Sequence, residues 1–174
     1  ANQNSIEAIN ISSFSKIDNE VDSRFVNLKI VKNKNFIFFT NYNSPKSKQF
    51  DSLNQIAATF FWDSINVQIR MKALIKKTSN DFNQKYFSSR NLHKNALAIS
   101  SNQSNKINSY EAVQEKFNKS LKTNDLKICP DYWGGFSFRP YYFEFWTGHE
   151  SRINRRNIYQ VDGTGYWKQF ILEP

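Results

Sequence analysis

The sequence contains very little cysteine, glycine and proline. Its single cysteine, Cys129, cannot form an internal disulfide, so a reducing compartment such as the cytoplasm is expected. Five glycines and four prolines are too few for a low-complexity chain. No run approaches the roughly 18 consecutive apolar residues that a membrane-spanning helix needs, so no membrane partner is expected.

Histidine is scarce too, and the signatures of several enzyme classes are missing. His93 and His149 are the only histidines, and neither has further ligands at a metal-binding spacing, so no metal site is predicted. The chain has no glycine-rich phosphate loop and no nucleophile elbow. A histidine-centred catalytic triad is therefore a poor interpretation, and Cys129 is more simply a small apolar residue than a catalytic thiol.

Aromatic side chains and positive charge are abundant. Aromatic residues make up 16% of the 174 residues, far more than a disordered chain contains. The formal net charge of +9 suits either nucleic acid or small phosphorylated ligands. The densest basic clusters are only Lys76-Lys77 and Arg155-Arg156, and this dispersal makes nucleic acid an unlikely partner.

Alternating apolar residues predict a chain made mainly of strands, with a few helices between them. Strands are expected at 8–15, 23–31, 36–40, 55–62, 66–76, 135–146, 156–161 and 166–172. Helices are expected at about 44–53, 78–90 and 109–121. Ser44-Pro45 is typical of a helix start, and a capping box headed by Thr78 predicts the second helix. Such a pattern indicates a barrel or an α+β fold in one domain over 1–174.

Several basic residues lie in or beside these elements. Arg24 and Lys29 flank the segment RFVNLK, and their odd separation places them on opposite faces of a strand. Either only one of them reaches a given site, or the strand lies where two surfaces meet. Tyr86 and Arg90 share a helix face and can bind one ligand, although a surface or cation–π pair explains that spacing more simply.

The C-terminal third combines aromatic and basic residues most densely. Trp133-Gly134-Gly135 and the segment FEFWTG at 143–148 are followed by Arg152, Arg155 and Arg156. Aromatic walls beside guanidinium groups suit a flat anionic ligand, because rings stack and arginine binds phosphate through paired hydrogen bonds. Aromatic strands are also common as plain core, so the pattern alone leaves both interpretations open.

This C-terminal stretch, WGGFSFRPYYFEFWTGHESRINRRNIYQ followed by GYWKQFILEP, resembles the signature of the pyridoxamine 5′-phosphate oxidase family. The family pattern runs WGG, P, EFW-x-G, R-L-H-D-R, then a tryptophan and Leu-x-Pro. RFVNLK at 24–29 is similar to the family's R-x-V-L-L-K, and FFTN at 38–41 is similar to its F-Y-T-N. The resemblance covers nearly the whole chain, because further motif residues follow in the family's order and spacing: Gln68, Tyr86, Arg90, Gln103 and Ser104.

The resemblance implies a mainly β fold with flanking helices, a split β-barrel of six or more strands and Greek-key type. It also implies a homodimer that binds flavin mononucleotide (FMN) at the subunit interface. The implied FMN-binding residues are Arg24, Phe39, Thr40, Lys46, Gln68, Gln103, Ser104, Trp146 and Arg156. The implied residues for a small phosphorylated pyridine substrate are Lys29, Tyr86, Arg90, Lys94, Arg152 and Asn154. Arg152 and Asn154 occupy the implied catalytic positions, with Arg152 near the reacting carbon.

The implied activity is oxidation of pyridoxamine or pyridoxine 5′-phosphate to pyridoxal 5′-phosphate. In that reaction electrons pass to the flavin and then to oxygen, which yields hydrogen peroxide. The sequence departs from the family pattern at five positions. The family's histidine, aspartate, serine, arginine and tyrosine are here Asn154, Arg155, Lys94, Pro45 and Phe39.

The departures keep two alternative functions open. Asn154 can still hydrogen-bond, but it cannot carry a proton in the physiological range as histidine can. One alternative is therefore an FMN-dependent oxidoreductase of the same fold that acts on another substrate. The other alternative is a non-catalytic protein that binds flavin, pyridoxal phosphate (PLP) or nucleic acid.

Overall fold

The computed structural model describes residues 5–174, and within them the chain forms nine strands and four α-helices. The strands are β1 (Ala8–Ser15), β2 (Glu20–Asn27), β3 (Ile30–Lys32), β4 (Asn35–Asn41), β5 (Gln55–Trp62), β6 (Val67–Lys77), β7 (Trp133–Thr147), β8 (Arg155–Val161) and β9 (Trp167–Leu172). The helices are α1 (Pro45–Ser52), α2 (Asn80–Ser89), α3 (Leu92–Ser100) and α4 (Tyr110–Thr123). No helix in this described range is both long enough and apolar enough to cross a membrane.

The chain folds into two compact units. We call the first the strand unit; it comprises Ala1–Phe38, Gln49–Lys76 and Ser137–Pro174. We call the second the helical unit; it comprises Phe39–Lys48 and Lys77–Phe136 and contains α2, α3 and α4. The expectation of one domain over the whole chain stays a prediction.

The strands form a nine-stranded sheet in the order β2-β1-β5-β6-β7-β4-β3, with β8 pairing with β7 and β9 with β8. The pairs β1–β2, β1–β5, β3–β4, β5–β6, β7–β8 and β8–β9 are antiparallel. Ile11 of β1 lies opposite Arg24 of β2, and Trp146 of β7 lies opposite Arg156 of β8. These two registers fix the cross-strand neighbours of Arg24 and Arg156, the two arginines that the family resemblance assigns to FMN.

Alternation of side chains explains the core of the strand unit. In β1 every second residue is buried, beginning with Ile9 and Ile11, and the residues between them are half-buried. Phe138 of β7 is fully buried, and its ring stacks on Phe36 with centroids 5.2 Å apart. Each such large apolar side chain stabilises the fold by about 1.5–3 kcal/mol when it leaves water.

Asn83 of α2 holds together the core of the helical unit. Its side-chain oxygen accepts hydrogen bonds from the backbone N–H of Gly135 at 2.9 Å and from the Thr78 hydroxyl at 2.5 Å. Its amide group donates to the hydroxyl of Tyr42 at 3.0 Å. A Cβ atom at Gly134 would collide with Tyr42 and Asn83, so the close approach explains a glycine after Trp133.

Most predicted elements are confirmed to within a few residues, and three expectations need correction. The predicted strand 23–31 is divided, because the chain changes partner there: Leu28 N–H bonds to Glu7 and Lys29 N–H bonds to Ile37. The helix cap is Ser79, whose hydroxyl accepts from the backbone of α2, and not Thr78. Helix α3 was not expected; its cap is Asn91, whose side chain accepts two backbone N–H groups.

Candidate functional site

The helical unit contains a cavity of about 200 Å³ that gathers several residues implicated by the sequence. Its lining includes Phe39, Thr40, Arg90, Lys94 and Gln103, together with Trp133. Strand β4 supplies the first two of these residues, α3 carries Lys94, and the loop after α3 carries Gln103. The lining combines aromatic rings, neutral donors and two cations, and it includes no carboxylate.

Near-parallel aromatic rings form one wall of this region. The ring of Phe39 stacks on Tyr86 with centroids 3.7 Å apart, and it lies 5.3 Å from the ring of Trp133. Phe82 and Tyr86 are one turn apart on α2, and both stack against Phe39. Burial raises the pKa of the Tyr86 hydroxyl, and the charge of Arg90 offsets this only in part. Tyr86 therefore stays protonated at neutral pH and remains a hydrogen-bond donor.

Arg90 is held at the end of α2 by neutral partners. Its Nη1 donates to the backbone oxygen of Lys94 at 2.9 Å and to the side-chain oxygen of Asn95 at 3.2 Å. Asn95 is completely buried, and its own amide bonds to the carbonyls of Phe87 and Leu126. The guanidinium carbon lies 4.9 Å from the ring centroid of Trp133, so Arg90 forms a cation–π contact with Trp133, a ring that the Tyr86–Arg90 spacing did not predict.

The two cations of the cavity have no acidic partners in the part of the chain that the structure describes. Within residues 5–174, neither Arg90 nor Lys94 forms an ion pair with a carboxylate, and Lys94 is exposed. Burial lowers the pKa of Arg90, against the smaller opposing effect of Tyr86, but a guanidinium remains charged at neutral pH. The cavity consequently offers uncompensated positive charge to a ligand.

Thr40, Gln103 and Lys46 form a hydrogen-bonded group beside the aromatic wall. The Thr40 hydroxyl donates to Gln103 Oε1 at 3.0 Å, and Lys46 Nζ donates to the Thr40 oxygen at 3.2 Å. The backbone N–H of Asn41 also reaches Gln103 Oε1. Because its oxygen is occupied, Gln103 has its NH₂ group left for a ligand. Ser104, with φ of 72°, lines a neighbouring cavity of about 200 Å³ instead.

In the strand unit, Arg24 is fully engaged with protein groups. Its Nη1 donates to Ser13 Oγ at 2.7 Å, and its Nη2 donates to Gln49 Oε1 at 2.9 Å and pairs with Asp22. Partial burial raises the pKa of Asp22, but the hydrogen bond and charge of Arg24 outweigh it, so the pKa lies below its ordinary value. Lys29 is exposed while Arg24 is half-buried, and Lys29 lies in the break between β2 and β3, so strand alternation does not fix the orientation of Lys29 relative to Arg24.

A buried carboxylate organises a second group of the strand unit. Glu144 of β7 is 1% exposed; its Oε1 accepts from Arg156 Nε at 2.8 Å, and its Oε2 accepts from Arg70 and Tyr142, both at 3.0 Å. Burial raises the pKa of Glu144, but the hydrogen bonds from Arg156 and Tyr142 and the two positive charges bring it below its ordinary value. Arg156 also donates to the backbone oxygen of Glu173 at 2.9 Å.

The loop between β7 and β8 carries the two implied catalytic residues. Arg152 is exposed and has a φ of 60°, a conformation that is unfavourable for a residue with a side chain. The Arg152 N–H bonds to the His149 carbonyl, and the Arg152 carbonyl accepts from the Asn154 N–H. The side-chain oxygen of Asn154 accepts from the His149 backbone N–H at 3.0 Å. The NH₂ group of Asn154 is therefore left for a substrate, together with one lone pair of its oxygen.

The remaining predicted residues lie on strands of the strand unit. Gln68 is half-buried in β6 opposite Phe61, and Trp146 is half-buried in β7 opposite Arg156. Among the members of this unit, the structure pairs Trp146 with Arg156 and places Arg152 and Asn154 in one loop. Arg24 contacts Ser13, Gln49 and Asp22, whereas Lys29 is exposed.

Sequence reasoning named Trp133 only within a possible aromatic wall, and it assigned no role to Glu144. Trp133 lines the cavity and stacks near Phe39, and the WGG signature already marked its position. Glu144 anchors two arginines, and the only sequence signal was an acidic residue inside the aromatic segment FEFW. A charge in the middle of an apolar strand is almost never buried without a partner.

Comparison with known proteins finds relatives that carry the same family description. Residues 133–174 match the family described as the pyridoxine 5′-phosphate oxidase C-terminal dimerisation region. The pyridoxine/pyridoxamine 5′-phosphate oxidase 1 of Hydrogenovibrio crunogenus is 35% identical over 159 residues, which cover 91% of this chain and 73% of the relative. The corresponding protein of Flavobacterium psychrophilum is 36% identical over 174 residues, which cover 97% of this chain and 81% of the relative.

Solved structures show the same fold at lower sequence identity. PhzG from Burkholderia lata 383, solved with tetrahydrophenazine-1-carboxylic acid, matches with a TM-score of 0.91 and 22% identity, over 99% of this chain and 84% of that one. A pyridoxamine 5′-phosphate oxidase-related, FMN binding protein from Nostoc punctiforme matches with a TM-score of 0.78 and 10% identity, over 97% and 87%. These matches confirm the predicted α+β split-barrel fold. The sequence identities above establish that the chain belongs to the pyridoxine/pyridoxamine 5′-phosphate oxidase family.

Proposed function

We propose that the protein is an FMN-dependent oxidase that converts pyridoxamine or pyridoxine 5′-phosphate to pyridoxal 5′-phosphate. The observation that carries the proposal is the cavity of the helical unit, in which Phe39, Thr40, Arg90, Lys94 and Gln103 surround one small space. Pockets for drug-sized ligands measure about 300–1,000 Å³. A cavity of about 200 Å³ is smaller than that, so by itself it holds only part of the FMN and the phosphorylated pyridine to which its lining residues are assigned.

In this proposal the phosphate of the substrate binds the cations of the cavity. Arg90 is oriented by the buried Asn95 and by Trp133, so its guanidinium is fixed before a ligand arrives. Lys94 adds a second positive charge at the same cavity. The protonated hydroxyl of Tyr86 donates a further hydrogen bond. Lys29 of the strand unit is proposed for the substrate from the family resemblance alone. The aromatic wall keeps water from this side of the pyridine ring.

The donor chemistry of the chain fits FMN as the cofactor. In the helical unit we assign FMN contacts to Phe39, Thr40, Lys46, Gln103 and Ser104. In the strand unit we assign them to Arg24, Gln68, Trp146 and Arg156. Hydroxyl, amide and cationic donors suit the phosphate and carbonyl oxygens of a flavin, and aromatic side chains suit its ring. FMN supplies the redox chemistry, because it takes two electrons from a substrate and returns them to oxygen as hydrogen peroxide.

Arg152 and Asn154 orient the substrate in this proposal. Arg152 presents an exposed guanidinium from a constrained backbone position. Asn154 donates a hydrogen bond through its NH₂ group, because its oxygen is held by the backbone of His149. Asn154 cannot take up a proton near neutral pH, so it positions the substrate and does not act as an acid or base.

The proposal includes a homodimer in the cytoplasm. The match of residues 133–174 to a dimerisation region supports two copies of the chain in the active protein. The single cysteine supports a reducing compartment.

A second candidate is an FMN-dependent oxidase of the same fold with a different substrate. Lys94 favours it, because this lysine lines the cavity at a position where the family has serine. With Arg90 it gives the cavity two unpaired cations, which suit a substrate with an additional carboxylate as well as one with a phosphate. Asn154 in place of the family histidine favours the same alternative.

The test is a turnover assay on the FMN-loaded protein in air-saturated buffer. With pyridoxamine 5′-phosphate, the first candidate predicts formation of pyridoxal 5′-phosphate, hydrogen peroxide and ammonia in equal amounts, because water replaces the amine nitrogen. Unphosphorylated pyridoxamine is the control, and it should react far more slowly because it lacks the group that Arg90 binds. A protein that holds FMN but forms neither product contradicts the first candidate and favours the second.

A further inference from the structure

One acidic side chain of the strand unit lies directly on a guanidinium that the proposed function assigns to the cofactor. Asp22 and Arg24 point to the same face of β2, and the Asp22 carboxylate forms an ion pair with Nη2 of Arg24. The side chain of Asp22 is 51% exposed and that of Arg24 only 16% exposed. Asp22 can therefore turn towards water, whereas Arg24 is held in place.

The terminal nitrogens of Arg24 already have four acceptors. Nη1 donates to the Ile11 carbonyl at 3.2 Å and to Ser13 Oγ at 2.7 Å. Nη2 donates to Gln49 Oε1 at 2.9 Å and pairs with Asp22. Ile11, Ser13 and Gln49 are buried and neutral, so Asp22 is the one acceptor of these four that is both charged and open to water.

An incoming phosphate has to compete with one of these acceptors. Removing a buried neutral acceptor would leave an unsatisfied polar group inside the strand unit, which costs about 1–3 kcal/mol. Displacing Asp22 costs less, because its carboxylate is hydrated as soon as it leaves Arg24 and its other contact, from the Gln49 amide group, is long at 3.5 Å. Until it leaves, its negative charge repels a phosphate at the same guanidinium.

We infer that Asp22 competes with the phosphate of FMN for Arg24 and thereby lowers the affinity of the chain for phosphorylated flavin but not for riboflavin. The inference rests on the proposed function, because it takes Arg24 as a cofactor-binding residue. In this inference Asp22 opposes cofactor binding, whereas the residues assigned to FMN favour it. Riboflavin lacks the phosphate, so it measures every other contribution to flavin binding.

The test compares wild type with Asp22→Asn, and Glu20→Gln serves as the matched control. Glu20 lies on the same face of β2 and carries the same charge, but it is exposed and does not contact Arg24. Each full-length protein, freed of flavin, is titrated with FMN and with riboflavin, and the quenching of flavin fluorescence gives Kd. Asp22→Asn should bind FMN about three- to tenfold more tightly and riboflavin unchanged. The gain should shrink in about 0.5 M salt.

Other outcomes overturn the inference. They are an FMN affinity that is unchanged or weaker in Asp22→Asn, an equal gain for riboflavin, or an equal gain in Glu20→Gln. If folded wild type binds neither flavin, the proposed function fails, and inorganic phosphate then tests the inference separately. Phosphate should raise the unfolding temperature of Asp22→Asn more than that of wild type. Equal shifts would overturn the competition for Arg24.

Discussion

The arginines of the strand unit and the cations of the helical cavity have opposite surroundings. In the strand unit, Arg24 pairs with Asp22, and Arg156 pairs with the buried Glu144. In the cavity, Arg90 bonds only to neutral groups, and neither it nor Lys94 meets a carboxylate within residues 5–174. In the strand unit, carboxylates of the protein therefore neutralise Arg24 and Arg156. In the cavity, the positive charge remains available to a ligand.

The contrast separates two uses of the same side-chain chemistry. A guanidinium beside an internal carboxylate is oriented and neutralised, so it offers a ligand directed hydrogen bonds but little net charge. A guanidinium beside neutral oxygens is oriented and still carries its full charge, which suits a phosphate. Substitutions that remove the acid, the paired arginine or the unpaired lysine should therefore have different effects.

The largest effect is expected from removing the internal acid. Glu144→Ala leaves Arg156 and Arg70 without their shared acceptor and should lower the free energy of unfolding by about 3 kcal/mol. Urea denaturation followed by circular dichroism measures this loss. Glu150→Ala, which removes an exposed acid from the loop after β7, should change stability by less than about 0.5 kcal/mol. A loss below about 1 kcal/mol in Glu144→Ala would show that the cluster does not organise the strand unit.

The next largest effect is expected for Arg156, which pairs with Glu144, in comparison with the exposed Arg152. Arg156→Ala should weaken FMN retention by about tenfold or more, because it removes a guanidinium that Glu144 and Glu173 hold in a fixed orientation. Arg152→Ala should retain FMN nearly as well as wild type, since Arg152 is assigned to the substrate. The measurement is flavin content per chain after gel filtration. Equal flavin content in the two variants would refute the assignment of Arg156.

A smaller effect is expected at the exposed cation of the cavity. Lys94→Ser should raise KM for pyridoxamine 5′-phosphate about three- to fivefold and leave kcat nearly unchanged, because an exposed charge pair contributes roughly 1 kcal/mol or less. Lys85→Ser on α2, also an exposed lysine, is the control and should leave both parameters unchanged. A raised KM that persists undiminished in high salt would contradict a Coulombic role for Lys94.

The smallest effect is expected in the acid stability of the strand unit. The pKa of Glu144 is lowered in the folded chain, so its stabilisation is fully present above the pKa of the unfolded chain, about 4.3. That contribution is lost as the pH falls through the lower folded value. Wild type should therefore lose stability below about pH 4.5 faster than Glu144→Gln, and the two should run in parallel between pH 5 and 7. Parallel curves down to pH 3 would exclude this contribution.

Local patterns predicted the elements where they were strong. The apolar run of β5, the alternation in β6 and the Ser44-Pro45 start of α1 were visible in the sequence, and the structure confirms these elements. Helix α3 was missed, because its capping residue Asn91 follows α2 after a single residue and the pattern reads as one irregular segment. The division of the predicted strand 23–31 was not visible, because a change of strand partner is a non-local event.

The sequence by itself determined the family motifs, the strand-rich fold class and the excess of positive charge. Its motifs assigned Arg152 to the substrate and Arg156 to FMN, but they did not show which of the two arginines pairs with an acid. Only the tertiary structure decided that Arg156 meets a buried acid while Arg152 remains exposed, because the register of β7 on β8 brings Glu144 within reach of one and not the other. The same holds for Arg90, whose lack of an acidic neighbour depends on how α2 and α3 pack. The charge of each residue follows from the sequence, but only folding determines whether a carboxylate lies close enough to neutralise that charge.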